Sequence, residues 1–249
     1  MSGSQARATL DVAGGTASIS LLNNTFQQQA QLMIDISRLH LLYIFDPMCS
    51  WCYGFAPVID QIGEHFGARL PVKLMVGGLR AGNTVAMTPK DRDYIRGAWT
   101  RVGAASGQPF DFSFFDREHF IYDTEPACRA VVAARAIAPD KALAFKGAVS
   151  AAFYGHNRDT TSTEVLADVA AEQGIDRASF LEKFLSPDIR NETFRDFLLA
   201  KDMGVEGFPC LVVGASEQYA LVTNGFRPID GIVEALEKWL AGQAAIAPA

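Results

Sequence analysis

The sequence predicts an α/β fold in which a block of helices interrupts a sheet domain. Three observations carry this expectation. Leu39, Leu41, Leu42, Tyr43, Ile44 and Phe45 form a run that is apolar on both faces, as a central strand requires. From about Arg80 to Lys201 the apolar period is helical. Strand patterns return only at 210–213 and 218–222, and an amphipathic segment closes the chain. The order β-α-β, helices, β-β-α belongs to a layered sheet domain carrying an insertion.

Taken in order, residues 1–36 are rich in Ser, Gln, Asn, Thr and Ala, with Gly14-Gly15 in the middle. They read as a poorly ordered extension with a short helix near 27–34. The strand at 39–45 feeds a helix whose apolar positions are Phe55, Val58, Ile59, Ile62 and Phe66. Pro57 is expected to remove a hydrogen bond and kink that helix just after its first turn. Val72, Leu74 and Val76 alternate into Gly77-Gly78, a second strand. Helices are expected over 90–105, 125–138, 141–154, 163–173, 177–185 and 188–202. Thr88 before Pro89, Asp123-Thr124 before Glu125-Pro126 and Thr161-Ser162-Thr163 before Glu164 supply helix-entry signals. Asn224-Gly225 turns the chain into a last helix presenting Ile229, Ile232, Val233, Leu236 and Trp239. The resulting division is an extension at 1–37, a sheet domain at 38–84 and 203–242, and a helical insertion at 85–202.

Composition narrows the function class. A hydrophobic fraction of 49% with 20% charged residues is that of a soluble globular chain. The net charge of −6 argues against nucleic acid and anionic membrane as partners. Four cysteines, Cys49, Cys52, Cys128 and Cys210, are too few for a disulfide-stapled scaffold. The first 30 residues hold no apolar run of signal-peptide length, and no stretch approaches a membrane span, so the cytoplasm is the expected compartment. A monomer is the expected state.

Cys49-Ser50-Trp51-Cys52 is the stretch that carries chemistry. Two thiols at this spacing close a small disulfide or supply half of a metal site. Their place between a strand and a helix sets Cys49 near a helix N-terminus, where unpaired N–H groups and the helix dipole stabilise a thiolate. The thiolate is the nucleophile of disulfide exchange. Gly207-Phe208-Pro209, immediately before the strand at 210, is a place where a cis X-Pro bond is plausible.

In combination these features resemble the thioredoxin superfamily. The segment Asp46-Pro47-Met48-Cys49-Ser50-Trp51-Cys52-Tyr53-Gly54-Phe55 is similar to the active-site segment of DsbA-like proteins with an inserted helical domain, nearest to the FrnE-like, predicted protein-disulfide isomerase branch. Gly77-Gly78-Leu79-Arg80, the run from Tyr122 to Ala130, and Gly207-Phe208-Pro209 extend the resemblance over roughly residues 40 to 240. It implies a thioredoxin fold and a thiol–disulfide oxidoreductase or isomerase acting on protein or peptide disulfides. It further implies Cys49 as the attacking thiol, Cys52 as the resolving one, and Pro209 as a cis-proline beside them. Phe208 would pair with an extended substrate, Trp51 would add apolar surface, and Ser50 would tune the thiolate. No cofactor is expected beyond the dithiol itself; glutathione is a co-substrate to consider, with a recycling reductase as the other partner.

Other readings compete. Cys128 and Cys210 are expected to be packed thiols, and no metal site is expected from the four cysteines. Asp46 is expected to shape the turn with Pro47, His65 to lie at the surface, and His119 and His156 to have a structural or solvated role, with the groove as the alternative place for them. The same architecture occurs in kappa-class glutathione transferases and 2-hydroxychromene-2-carboxylate isomerases, and Arg158-Asp159 resembles a stretch of the latter. Those relatives carry serine at the position of Cys49, so two cysteines here favour redox chemistry. A non-catalytic peptide-binding module is the third reading.

Overall fold

A computed structural model of the chain describes residues 9–12, 15–18, 38–215 and 218–246. Strands β1 (Thr9–Val12) and β2 (Gly15–Ser18) pair antiparallel as a ribbon inside the segment read as an extension. The helix expected at 27–34 lies outside the described residues.

The main sheet has four strands in the order β4-β3-β5-β6, with β3 at His40–Phe45, β4 at Val72–Val76, β5 at Cys210–Ala215 and β6 at Gln218–Asn224. β3 runs parallel to β4 and antiparallel to β5, and β5 antiparallel to β6. All six residues of β3 are buried, which is why its sequence is apolar on both faces. Leu41, Tyr43 and Phe45 enter the larger core, while Leu42 and Ile44 pack on the other face with Met75, Leu199, Ala200 and Val212.

Between β3 and β4 lie α1 (Ser50–Gly54) and α2 (Ala56–Phe66). The single kinked helix expected here is two helices. Phe55 is at once the C-cap of α1 and the N-cap of α2, and Pro57 sits in the first turn of α2. A proline needs no backbone donor there, so the ring starts a second helix where a kink was expected. Gly54 lets α1 approach its neighbour closely: a Cβ there would lie 2.7 Å from Val102.

Helices α3 (Pro89–Ser106), α4 (Glu125–Ile137), α5 (Ala142–Tyr154), α6 (Thr163–Glu172), α7 (Arg177–Leu185) and α8 (Pro187–Asp202) occupy the stretch between β4 and β5. Their entries follow from local chemistry. Thr88 and Asp91 form a capping box at α3, and the Asp176 and Ser186 side chains accept from Ser179 and Ile189 N–H groups at α7 and α8. A final helix, α9 (Ile232–Ile246), buries Ile232, Ala235 and Leu236 against the sheet domain. No helix among the described residues is long and apolar enough to cross a membrane.

Candidate active site

β3 ends at Phe45 and delivers the next four residues to the edge of the core. Asp46 is fully buried. Its carboxylate accepts from the Met48 N–H at 2.8 Å, the Leu79 N–H at 2.7 Å and the Cys128 thiol at 3.5 Å. Burial still pushes its carboxyl above the ordinary range, with the Thr124 hydroxyl opposing that rise most strongly. Asp46 therefore shapes the turn, as its place before Pro47 predicts, and also ties it to the loop after β4.

Cys49 follows as the N-cap of α1, donating its N–H to the Asp46 carbonyl at 3.0 Å. Its side chain keeps a sliver of exposure, and its thiol points to the Phe208 carbonyl oxygen, 3.7 Å away. Cys52 is one turn further and fully buried. Burial first, then its contact with the Cys49 thiol, pushes the Cys52 thiol well above the ordinary range. Both are free thiols. The Phe208–Pro209 peptide bond is cis, Pro209 is buried, and Phe208 is half-buried. Gly77 makes room for Phe208: a Cβ there would fall 2.0 Å from the ring.

The helical insertion grips this loop by its carbonyls. Lys146, Ser150 and Tyr154 recur every fourth residue, on one face of α5. They donate to the carbonyl oxygens of Cys52 (3.1 Å), Pro47 (2.8 Å) and Met48 respectively. The Tyr122 hydroxyl also reaches the Met48 oxygen at 2.7 Å. A short helix following a turn leaves its carbonyls without local partners, and buried carbonyls need them. Here the partners come from roughly a hundred residues downstream. Nothing in the local sequence announces them, although a buried Lys-x-x-x-Ser-x-x-x-Tyr stripe amid Phe145, Val149 and Phe153 is a polar anomaly on an apolar face.

A pocket of about 320 Å³ opens over Cys49. Ser50 and Trp51 line it from α1, Leu79 and Arg80 from the loop after β4, Tyr94 and Arg101 from α3, and Gly207 and Phe208 from the turn before β5. Two arginines and no acidic side chain line it, against a net charge of −6 for the whole chain. Arg80 stacks over the Tyr122 ring at 5.3 Å. Sequence reading singled out neither Arg80 nor Arg101 for this place, since α3 and the β4 loop meet only in the fold. The Trp51 ring also packs 5.5 Å from Phe226.

The remaining cysteines lie elsewhere. Cys210 pairs with Ile44 across β5 and β3 and enters the smaller core, on the sheet face away from Tyr43. Burial pushes its thiol up to about 12. Cys128 is sealed, and burial followed by the Asp46 carboxylate pushes its thiol well up. Cys128→Ala and Cys210→Ala should each keep insulin reduction within a few-fold of the parent; a loss as deep as that of Cys49→Ser would show a third thiol in turnover. His65 is exposed and bonds to Glu237 at 2.9 Å. His119 and His156 are exposed, and neither lines the pocket over Cys49. Arg158 is held by Glu172 at 2.9 Å, and Asp159 accepts from the Thr161 N–H at 3.0 Å. No cluster of three or more His, Cys, Asp or Glu suited to a metal ion occurs among the described residues.

Residues 41–237 match the family described as DSBA-like thioredoxin domain. Among solved structures, a candidate protein disulfide isomerase from Nitrosomonas europaea is 39% identical, with a TM-score of 0.77, over 82% of this chain and 98% of that one. The cytosolic disulfide reductase DsbM from Pseudomonas aeruginosa is 26% identical, with a TM-score of 0.69, over 84% of this chain and 100% of that one, and it has also been solved with GSH. A curated relative, the ClpXP adapter protein SpxH of Halalkalibacterium halodurans, is 22% identical over 80% of this chain and 67% of its own length.

Proposed function

The chain belongs to the family of DsbA-like thioredoxin domains and is a thiol–disulfide oxidoreductase, and from that premise we propose that Cys49 and Cys52 are its working dithiol. The observation that carries this reading is the inequality of the two sulfurs. Cys49 borders the pocket and faces the Phe208 carbonyl, whereas Cys52 is sealed behind it. The Cys49 thiolate attacks one sulfur of a substrate disulfide. A Cys49–substrate bond forms, the substrate S–S bond breaks, and the departing sulfur takes a proton. The Cys52 thiolate then attacks the Cys49 sulfur, closing the 49–52 disulfide and releasing the second substrate thiol. The substrate gains two electrons and the dithiol loses them.

The substrate class is a protein or peptide disulfide, with Phe208 and Trp51 giving apolar contact, Pro209 shaping the turn, and Ser50 tuning the Cys49 thiolate from the pocket lining. The direction is reduction in the cytoplasm, with glutathione returning the electrons and no bound cofactor. Three points support this: the related reductase is cytosolic, it has been solved with GSH, and Arg80 and Arg101 offer cations for a carboxylate-bearing thiol. Insulin reduction with glutathione as the sole thiol tests the reading. Precipitation of the insulin B chain is expected. Conjugation of glutathione to an electrophile without insulin reduction would overturn it in favour of a transferase.

Gly77→Ala provides a second test. Its Cβ displaces the Phe208 ring and with it the carbonyl facing Cys49. Misplacement on the ångström scale should lower kcat/KM roughly 10- to 100-fold. An unchanged kcat/KM for insulin would remove Phe208 from substrate binding.

A further inference from the structure

Lys146 is the one lysine among the described residues that is fully buried, at 1% exposure. An ammonium in that position is costly unless something it faces compensates. What it meets is the backbone of Cys52 and two aromatic rings. Its Nζ lies 3.1 Å from the Cys52 carbonyl oxygen and sits over the rings of Tyr43 and Phe45, at 5.3 and 5.5 Å. The titratable groups around it are Cys49 at the N-cap of α1, Cys52 on α1, Asp60 on α2 and, under its ammonium, Tyr43 on β3. Among the described residues the carboxylate that acts on it is that of Asp60.

Cys52 needs such a neighbour. It must become a thiolate to resolve the mixed disulfide, yet it is sealed from water. We propose that Lys146, reaching in from the helical insertion, is the positioning cation that holds the Cys52 thiolate during resolution. This rests on the assignment of Cys49 and Cys52 above. The burial of Lys146 pushes its ammonium below the ordinary range, and the two cysteines and Asp60 pull the other way, so charge at Lys146 and charge at Cys52 favour each other. In the resolving step the Cys52 S–H proton leaves, the Cys52–Cys49 bond forms, and the Cys49–substrate bond breaks. The departing substrate sulfur takes up a proton, so protons and electrons balance with Lys146 charged throughout. The carbonyl contact fixes Nζ beside residue 52, and Cys52 acts on the ammonium more strongly than Cys49 does, so the effect falls mainly on the resolving step.

The reduced protein and dithiobis-nitrobenzoate separate the two steps. Attack by Cys49 releases a first thionitrobenzoate, and resolution by Cys52 releases a second, absent in Cys52→Ser. Lys146→Gln keeps a donor for the Cys52 carbonyl without the charge. It should slow the second release at least tenfold at neutral pH and move its pH midpoint upward, while the first release stays within about twofold. Lys146→Arg, which keeps the charge, should recover most of the second rate, and it serves as the readout if the Gln variant fails to fold. A second release in Lys146→Gln within twofold of the parent, at an unshifted midpoint, overturns the proposal. So does equal slowing of both releases, which would mark a packing role. A parent protein that gives no first release defeats the dithiol assignment, and the Lys146 proposal with it.

Discussion

Cys52→Ser should accumulate stable mixed disulfides with insulin or glutathione, while Cys49→Ser should trap nothing and lose turnover. Cys49 caps α1 with its sulfur on the pocket, so it alone is open to a substrate disulfide. Cys52 is fully buried, and burial holds its thiol well above the ordinary range, so a bulky reagent near neutral pH meets a shielded, protonated group. Its reaction is therefore intramolecular, with the partner sulfur held in contact at high effective concentration. Loss of turnover in either variant should be roughly several hundred-fold or more, since Cys49→Ser removes the nucleophile and Cys52→Ser replaces an intramolecular step by a bimolecular one. Iodoacetamide followed by peptide mass spectrometry should find Cys49 labelled first. A reversed order, or residual turnover in Cys49→Ser, would reassign the nucleophile.

Arg135→Met should lower the stability of the whole fold. Arg135, in the last turn of α4, donates to Asp196 at 2.8 Å, to Glu192 at 2.7 Å and to the Leu74 carbonyl oxygen at 2.5 Å. Asp196 has a side-chain exposure of 1% and also accepts from the Val76 N–H at 3.1 Å. One ion pair thus joins α4, α8 and the edge strand β4. Methionine keeps the apolar stem but leaves the carboxylate buried with a single N–H partner, which costs about 3–5 kcal/mol. For a chain of this size that is a fall in Tm of roughly 6–20 °C.

The pH dependence of that loss has a definite sign. Burial already holds the Asp196 carboxyl above the ordinary range, with Arg135 opposing it. Removing Arg135 raises it further. An acid whose folded pKa exceeds its unfolded value favours the fold below the unfolded value, and that contribution is lost as pH rises through the folded one. The penalty of Arg135→Met should therefore be smallest near pH 4 and grow toward neutrality. Adding Asp196→Asn should recover part of it. Urea unfolding at two pH values checks both points; a penalty that shrinks as pH rises would show that Asp196 is not the stranded group.

The elements were legible in the chain because their causes are local. Alternation and helical spacing set the main strands and helices to within a few residues: 177–185 is observed as read, and 90–105 is α3 at Pro89–Ser106. Thr88 and Ser186 start helices with their own side chains. The place of Cys49 and Cys52 between a strand and a helix was equally local, fixed by where the apolar period changes from strand to helix.

What tertiary structure alone decided has nonlocal causes. Pro57 starts a second helix because Phe55 could end one helix and begin the next within the core, a choice that a proline in the sequence leaves open. Gly77 is small because Phe208 arrives from 131 positions away along the chain. Lys146, Ser150 and Tyr154 are polar on a buried helix face because the Cys52, Pro47 and Met48 carbonyls lie beneath them. The proposed dithiol is written into four residues. The partners for its buried carbonyls, the room for Phe208 and the cations facing its pocket come from segments distant in sequence. Packing alone brings them together, because each buried polar group must find its partner wherever the fold can supply one.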